Sequence, residues 1–299
     1  MDIHQSYYET LYARPVVQLA GYAARHKLPE GLYAYLAFGG ATASAKDALA
    51  EGMLALAVEK GYLQPGQTVV ETSSGSFAVA LAIACAHSRH PLILCMSSNV
   101  PAQRQKLFIK LGVRIALTNP AYGREGLKKR AEEAVARTGG YYLNYFDNDL
   151  NPEFHRRVTG PNIARATEGA LDAIVAGVGT GGTVTGVGEF TKAWYPDVKI
   201  IAVEPAESPV ISGGYAGVHH IPGLGAGFVP ENYNPYIVDA VIPVPSQEAA
   251  AKAREVLRTD AVPASPSAGA VLAAAHRLMR ENEGMRRVLC VFSGKETVE

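Results

Sequence analysis

The sequence predicts an α/β fold with two lobes. Three observations lead there. Short apolar, β-branched runs alternate with alanine-rich helical stretches, Gly/Ser/Thr-rich turns join them, and the chain is 299 residues long with 48% hydrophobic and 19% charged residues. A chain of that size and apolar content can bury more than one core.

In chain order, a helix over 45–60 precedes the strand QTVVET (67–72), which feeds a helix over 77–87. The strand PLILCM (91–96), a helix over 101–111, the strand VRIALT (113–118) and a helix over 123–138 follow. LNYFDNDLNPEFHRRVTGP (143–161), rich in Asn, Asp and Pro, is the best internal seam. A second series then runs through LDAIVAGV (171–178), a helix over 183–194, VKIIAVE (198–204), helices over 246–257 and 268–283, and RRVLCVF (286–292). Each strand is short and apolar enough to be covered on both faces of a parallel sheet. Ligands of open α/β sheets gather at the carboxyl ends of strands, so the loops after these strands are the functional candidates.

Lys+Arg and Asp+Glu both number 28, and neither sign forms a long block. Nucleic acid and anionic membrane are therefore poor partners. The three cysteines, Cys85, Cys95 and Cys290, sit in apolar contexts without metal-ligand spacing. They read as buried thiols of a reducing compartment. MDIHQSYYETLYARP at the start lacks an apolar signal core, and the longest apolar run, Ala78 to Ala86, is too short to span a bilayer. A soluble cytoplasmic protein is expected.

GVGTGGTVTGVG (177–188) contains G-x-G-x-x-G, and Glu204 ends the next strand where a ribose-binding acid of a dinucleotide fold would lie. An NAD-binding oxidoreductase is one reading, and a plain tight turn is another. A third is a cup for one phosphate group, because Thr180 and Thr183 are interleaved with Gly179, Gly181 and Gly182 at a helix N-terminus. In TSSGSFAVALA (72–82), Ser73, Ser74, Gly75 and Ser76 open a helix. They suit either ordinary capping or a carboxylate-binding turn.

In PASPSAGAVLAAA (263–275), Ser267 is either an N-cap or a neutral partner for a ring nitrogen. HHIPGLGAGFVP (219–230) carries Gly223, Gly225 and Gly227, which let backbone approach a flat ligand or let a loop move. His155, His219 and His220 lack partners at metal spacing and read as exposed or satisfied, and no metal is expected.

ATASAKDALA (41–50) places Lys46 and Asp47 in a run of small residues. Ser44 and Asp47 have capping-box spacing, so Lys46 falls in the first turn of a helix. The helix dipole disfavours a cation there by about 0.3–1 kcal/mol, and burial lowers the pKa further. Imine formation needs a neutral amine. An exposed lysine beside an N-cap is the alternative. With a phosphate cup, a carboxylate turn and a ring-nitrogen partner elsewhere in the chain, the set describes pyridoxal phosphate on Lys46.

These motifs, from PVVQLAGYA (15–23) through SAKDALA, ETSSGSFAVALA, NPEFHRRVTGP, GVGTGGTVTGVG, VEPAESPVISGG and IPGLGAGFVP to SAGAVLAAA, run in one family's order over nearly the whole chain. The chain resembles the cysteine synthase / cystathionine β-synthase family of fold-type II pyridoxal-phosphate enzymes. That resemblance implies a tryptophan synthase β-like fold whose two lobes are each a mostly parallel sheet flanked by helices, with the cofactor in the cleft. It implies a smaller mobile lobe (40–147) with the substrate-carboxylate loop, a larger lobe (1–39 and 148–299) with the phosphate loop, and a homodimer.

By the same resemblance, Lys46 forms the internal aldimine and shuttles the substrate α-proton. Gly179, Thr180, Gly181, Gly182 and Thr183 hold the phosphate, Ser267 meets the pyridine nitrogen, and Ser76 lies beside the ring. Ser73, Ser74 and Gly75 bind the substrate carboxylate, with Tyr145 and Gly223 also toward the substrate. The implied reaction is β-replacement on O-acetylserine or O-phosphoserine through aminoacrylate. Sulfide would give cysteine, and an amine would give a diaminopropionate-type amino acid.

The departures point to a specialised member. Ser76 and Phe77 stand where the family's T-S-G-N-T turn has Asn and Thr, Tyr145 stands for the usual Gln before Phe146, and Ala48 replaces an arginine that often follows K-D. β-Elimination to pyruvate and ammonia and a non-catalytic binding or regulatory homologue are the alternatives, with the NAD reading as a weaker one.

Overall fold

The computed structural model describes residue 4 and residues 6–295, so the polar start of the chain lies partly outside the described residues. Its first elements are α1 (Glu9–Tyr12), β1 (Val16–Gln18), α2 (Ala20–His26) and β2 (Gly31–Leu36). Next come α3 (Lys46–Glu59), β3 (Val69–Glu71), α4 (Ser76–His87), β4 (Leu92–Ser97), α5 (Ala102–Lys110), β5 (Arg114–Thr118), α6 (Gly123–Thr138) and β6 (Tyr141–Tyr142). α7 (Leu150–Phe154) runs through a π-helical stretch (His155–Thr159) into α8 (Gly160–Thr167). The chain continues as β7 (Ala173–Gly177), α9 (Gly182–Trp194), β8 (Lys199–Pro205), β9 (Ala240–Val244), α10 (Ser246–Asp260), α11 (Pro266–Glu281) and β10 (Arg287–Phe292).

Two compact units result. The smaller takes in Gly40–Thr42 and Lys46–Leu150; the larger takes in the described chain up to Gly39, Ala43–Ala45 and the described chain from Asn151 onward. The sheet of the smaller unit has the order β5-β4-β3-β6 and is parallel throughout. Strand side chains alternate between faces. On one face Val70, Ile93, Cys95 and Ala116 pack with Ala131 and Ala134 of α6. Apart from Glu71, β3 is plain apolar, VV between two neighbours, which suits a strand covered on both sides.

The sheet of the larger unit has the order β1-β2-β10-β7-β8-β9. β1 is antiparallel to β2, and every other pairing is parallel. Alternation again sorts the core. Ala173, Val175, Ile201, Val203, Val288 and Cys290 meet the alanine-rich face of α11 and its neighbours on one side. Ile174, Ala176, Ile200, Ala202, Leu289 and Val291 meet Val184 and Val187 of α9 on the other.

The six strands read from sequence are β3, β4, β5, β7, β8 and β10, and the seven helices are α3 to α6 and α9 to α11. All three cysteines are free and buried. Among the described residues, no helix is long and apolar enough to cross a membrane and no cluster of side chains could hold a metal ion.

Candidate active site

In the smaller unit the candidates follow the carboxyl end of β3. Residues 72–75 turn the chain into α4, whose N-cap is Gly75 and carries no side-chain cap. Ser73 and Ser74 are therefore not spent on capping that helix, and Gly75 and Ser76 are exposed. The hydroxyl of Ser73 hydrogen-bonds the Tyr145 side chain. Tyr145 stacks on Phe77, with ring centroids 3.8 Å apart and 7° between planes. Burial and the Glu71 carboxylate push the Tyr145 phenol far above its ordinary range, so it stays protonated. Ser73 and Tyr145, two residues of different segments, are thus joined, and both family departures at Phe77 and Tyr145 belong to one stacked pair.

Lys46 is the first residue of α3. The Asp47 carboxylate beside it reaches back to Thr42, accepting from the amide at 3.1 Å and from the hydroxyl at 2.8 Å. The capping-box spacing pointed to Ser44; the contact to Thr42 is longer in sequence because Asp47 closes the turn that leads into the helix. Lys46 keeps partial solvent exposure at its surface. Protein around its amine nevertheless holds its pKa below the ordinary lysine value, against the opposing pull of Asp47. A lysine that loses its proton more readily than usual is what carbonyl chemistry requires.

In the larger unit, β7 delivers the glycine loop to the N-terminus of α9. Gly181 is the N-cap, at φ +83°, a left-handed conformation that favours glycine. A Cβ on Gly179 would lie 2.2 Å from the Gly223 carbonyl oxygen, so this loop and the 223–225 turn touch through backbone. The Gly225 amide donates to the Val178 carbonyl at 3.0 Å. Gly223, read as a substrate residue, lies against the glycine loop.

Two residues that sequence reasoning did not nominate for the site organise its hydroxyls. Asn151 Nδ2 donates to Thr180 Oγ1 at 3.1 Å, and His155 Nε2 pairs with Thr183 Oγ1 at 3.1 Å while its Nδ1 pairs with Thr159 at 2.8 Å. NPEFH ahead of the arginine pair was the available signal, and His155 read only as exposed or satisfied.

Ser267 is buried in the first turn of α11. The helix is capped by Ser265, not Ser267, because Ser265 sits one residue before the first helical position, Pro266, and accepts from the Ala268 amide. Ser267 Oγ lies 2.8 Å from Ser265 Oγ and 3.4 Å from Ser293 Oγ. Glu204, the acid of the dinucleotide reading, is buried and accepts from the Ile211 amide at 2.7 Å, the Ser212 amide at 3.1 Å and the Ser212 hydroxyl. Those bonds occupy the carboxylate, leaving it badly suited to a ribose.

Two open sheets with glycine- and hydroxyl-rich turns at strand ends are the architecture of a two-unit α/β enzyme of fold-type II. The chain belongs to the pyridoxal-phosphate dependent enzymes: the model of the family described as "Pyridoxal-phosphate dependent enzyme" matches residues 9–294. It is 37% identical to cysteine synthase of Staphylococcus aureus over 251 residues, 84% of this chain and 81% of the relative. The crystal structure of cysteine synthase (OASS) from Entamoeba histolytica matches with a TM-score of 0.89 at 30% identity, covering 98% of this chain and 88% of that one. The crystal structure of O-ureido-L-serine synthase matches with a TM-score of 0.88 at 29% identity, covering 98% and 92%.

The donor set fits pyridoxal 5'-phosphate. Helix N-terminal amides, two oriented threonine hydroxyls and glycines that leave room for close approach suit a phosphate, and the GVGTGGTV stretch contains no acid to repel it.

Proposed function

We propose that the chain catalyses β-replacement on an O-activated L-serine, with O-acetyl-L-serine the first candidate and O-phosphoserine the second. The observation that carries this reading is Lys46 at the head of α3 with its pKa held down by burial. When bound, pyridoxal phosphate supplies the electron sink for negative charge developing at the substrate Cα. Gly179, Thr180, Gly181, Gly182 and Thr183 would hold its phosphate, Ser267 would meet the ring nitrogen without adding charge, and Ser76 would lie beside the ring.

Lys46 would hold the cofactor, and its amine would take the substrate α-proton at Nζ and return it to Cα once the nucleophile has added. The Ser73, Ser74 and Gly75 turn receives the substrate carboxylate. Tyr145 and Gly223 would be further substrate contacts. The acyloxy or phosphate group leaves from Cβ, and a nucleophile adds there. Sulfide gives cysteine, and an amine gives a diaminopropionate-type amino acid. The residues 40–147 act as the mobile part and 1–39 with 148–299 as the fixed part. The working form is a cytoplasmic homodimer.

The test is the visible absorption spectrum of the purified holoprotein before and after each O-activated serine, with product analysis in the presence of sulfide. A band that changes with O-acetylserine and returns as cysteine accumulates is the expected result. Pyruvate in place of an amino-acid product would move the assignment to β-elimination. An unchanged band with both serine esters would end the substrate reading.

Ser76→Asn is expected to keep the cofactor and to change the rate or the substrate preference, because Ser76 lies at the exposed N-terminus of α4 and its substitution leaves the core intact. Cofactor titration and a substrate panel check it. Loss of cofactor on that change would mean that the 72–76 turn is misassigned.

A further inference from the structure

We propose that Glu71 is a positioning residue: its carboxylate ties the 72–76 turn to the Asn144–Tyr145 corner and thereby sets the shape of the substrate-carboxylate site. The proposal rests on the assignment of that turn to the substrate carboxylate.

Glu71 ends β3 and is fully buried. Its two oxygens serve two different segments. Oε1 accepts from the Thr72 amide at 2.6 Å and, more weakly, from the Thr72 hydroxyl at 3.3 Å; Oε2 accepts from the Tyr145 amide at 3.1 Å. Asn144, at φ +47°, makes the left-handed turn that precedes Tyr145. Thr72 Oγ1 also meets Tyr142 Oη at 3.1 Å. Tyr145 then grips the same turn a second time, through its hydroxyl on Ser73 and its ring on Phe77. Main chain and side chain of the corner are therefore both fastened to the residues that would meet the substrate carboxylate.

A carboxylate suits this place better than its amide. Both oxygens face N–H donors, and a glutamine would set its own N–H₂ against one of them. Protonation has the same defect, since one oxygen becomes a donor. Burial raises the Glu71 pKa to about 7, with the Thr72 and Tyr145 amides pulling it back down.

The groups facing it are Tyr141, Tyr142 and Tyr145 on the adjoining segment and Cys95 on β4. All four have raised pKa values, Cys95 to about 11 and Tyr142 to about 12, so each is neutral around pH 7. The charged residues of α6 act on Cys95 (Arg130, Glu133 and Arg137) and on Tyr142 (Glu132). Among the described residues, Glu71 has no paired cation. Deprotonation of Glu71 therefore tightens the turn, and the KM for the amino acid falls as pH rises through about 7.

The experiment measures kcat and KM for O-acetyl-L-serine and for O-phospho-L-serine from about pH 6 to 8.5, using holoenzyme of the wild type, Glu71→Gln and Glu71→Asp. The expected result is a wild-type KM that rises on the acid side of that range. Glu71→Gln should raise KM about tenfold or more at the alkaline end, remove that limb and change kcat less, and Glu71→Asp should restore part of it. A residue that served only folding would lower the amount of active enzyme and leave the limb in place. Wild-type KM and pH profile in Glu71→Gln overturn the proposal. If that variant does not accumulate as folded protein, the wild type decides, and a KM flat through about pH 7 overturns it. A wild type that reacts with neither serine ester removes the substrate reading itself, a failure seen before any variant is compared.

Discussion

Lys46→Ala loses turnover by about a thousandfold or more, and the cofactor is no longer fixed to the protein by borohydride reduction. Alanine is the best helix former and Lys46 is followed by Asp47, Ala48, Leu49 and Ala50, so α3 tolerates the change. The Asp47 contacts to Thr42 remain, and the fold is kept. The loss is therefore chemical: no other group in the first turn of α3 offers a neutral amine. Mass spectrometry of the reduced protein reads the link directly. Lys46→Arg serves as a control, because arginine keeps a cation at that place and cannot supply the neutral nucleophile. A reduced adduct that persists in Lys46→Ala, or turnover at the wild-type rate, would sink the assignment.

Gly179→Ala weakens cofactor binding by about tenfold to a hundredfold. The added Cβ would stand 2.2 Å from the Gly223 carbonyl oxygen, and backbone on both sides leaves no flexible side chain to yield. One of the two turns has to move, and the Gly225 amide bond to Val178 goes with it. Gly179 precedes the helix, so α9 itself stays formed. The defect is confined to the geometry with which amides and the Thr180 and Thr183 hydroxyls converge. Titration of apoprotein with pyridoxal phosphate measures it, with helical circular dichroism as the check on folding. Wild-type affinity in Gly179→Ala would show that this turn does not hold the phosphate.

Much of the fold was legible because buried parallel strands write themselves as contiguous apolar runs. LILCMS and RVLCVF need no partner to be recognised. Four strands were missed, β1, β2, β6 and β9, and three of them have reasons. β9 contains Pro243, which a strand accepts at an edge, and β9 is the edge of its sheet. β1 is three residues long and β6 two, too short for any periodicity.

The turns at the strand ends were visible for the same reason that they work, a density of glycine and hydroxyl residues within four or five positions. Their supports were not visible. Glu71 stood only as one residue of the strand QTVVET, because the amide that it holds is 74 residues away. The pairing of Asn151 with Thr180 likewise spans 29 residues. The Phe77 and Tyr145 departures looked like two separate changes until folding stacked them into one.

The place of β10 in the larger sheet has a consequence for how the chain is made. β10 lies between β2 and β7, in register with Gly31–Leu36 on one side and with Ala173–Val175 on the other. On the ribosome, the segment 46–150 has every strand of its own sheet in hand as soon as it emerges. The larger unit has not. β7, β8 and β9 can pair among themselves, but β2 waits with one side open until residues 287–292 leave the tunnel. Throughout that interval the nascent chain presents two unpaired parallel edges lined with Leu32, Ala34, Ile174 and Val175, the kind of surface that invites wrong pairing between chains. Emergence of β10 is thus the event that commits the larger unit, and chaperone dependence should concentrate in the interval before residues 287–292 are exposed.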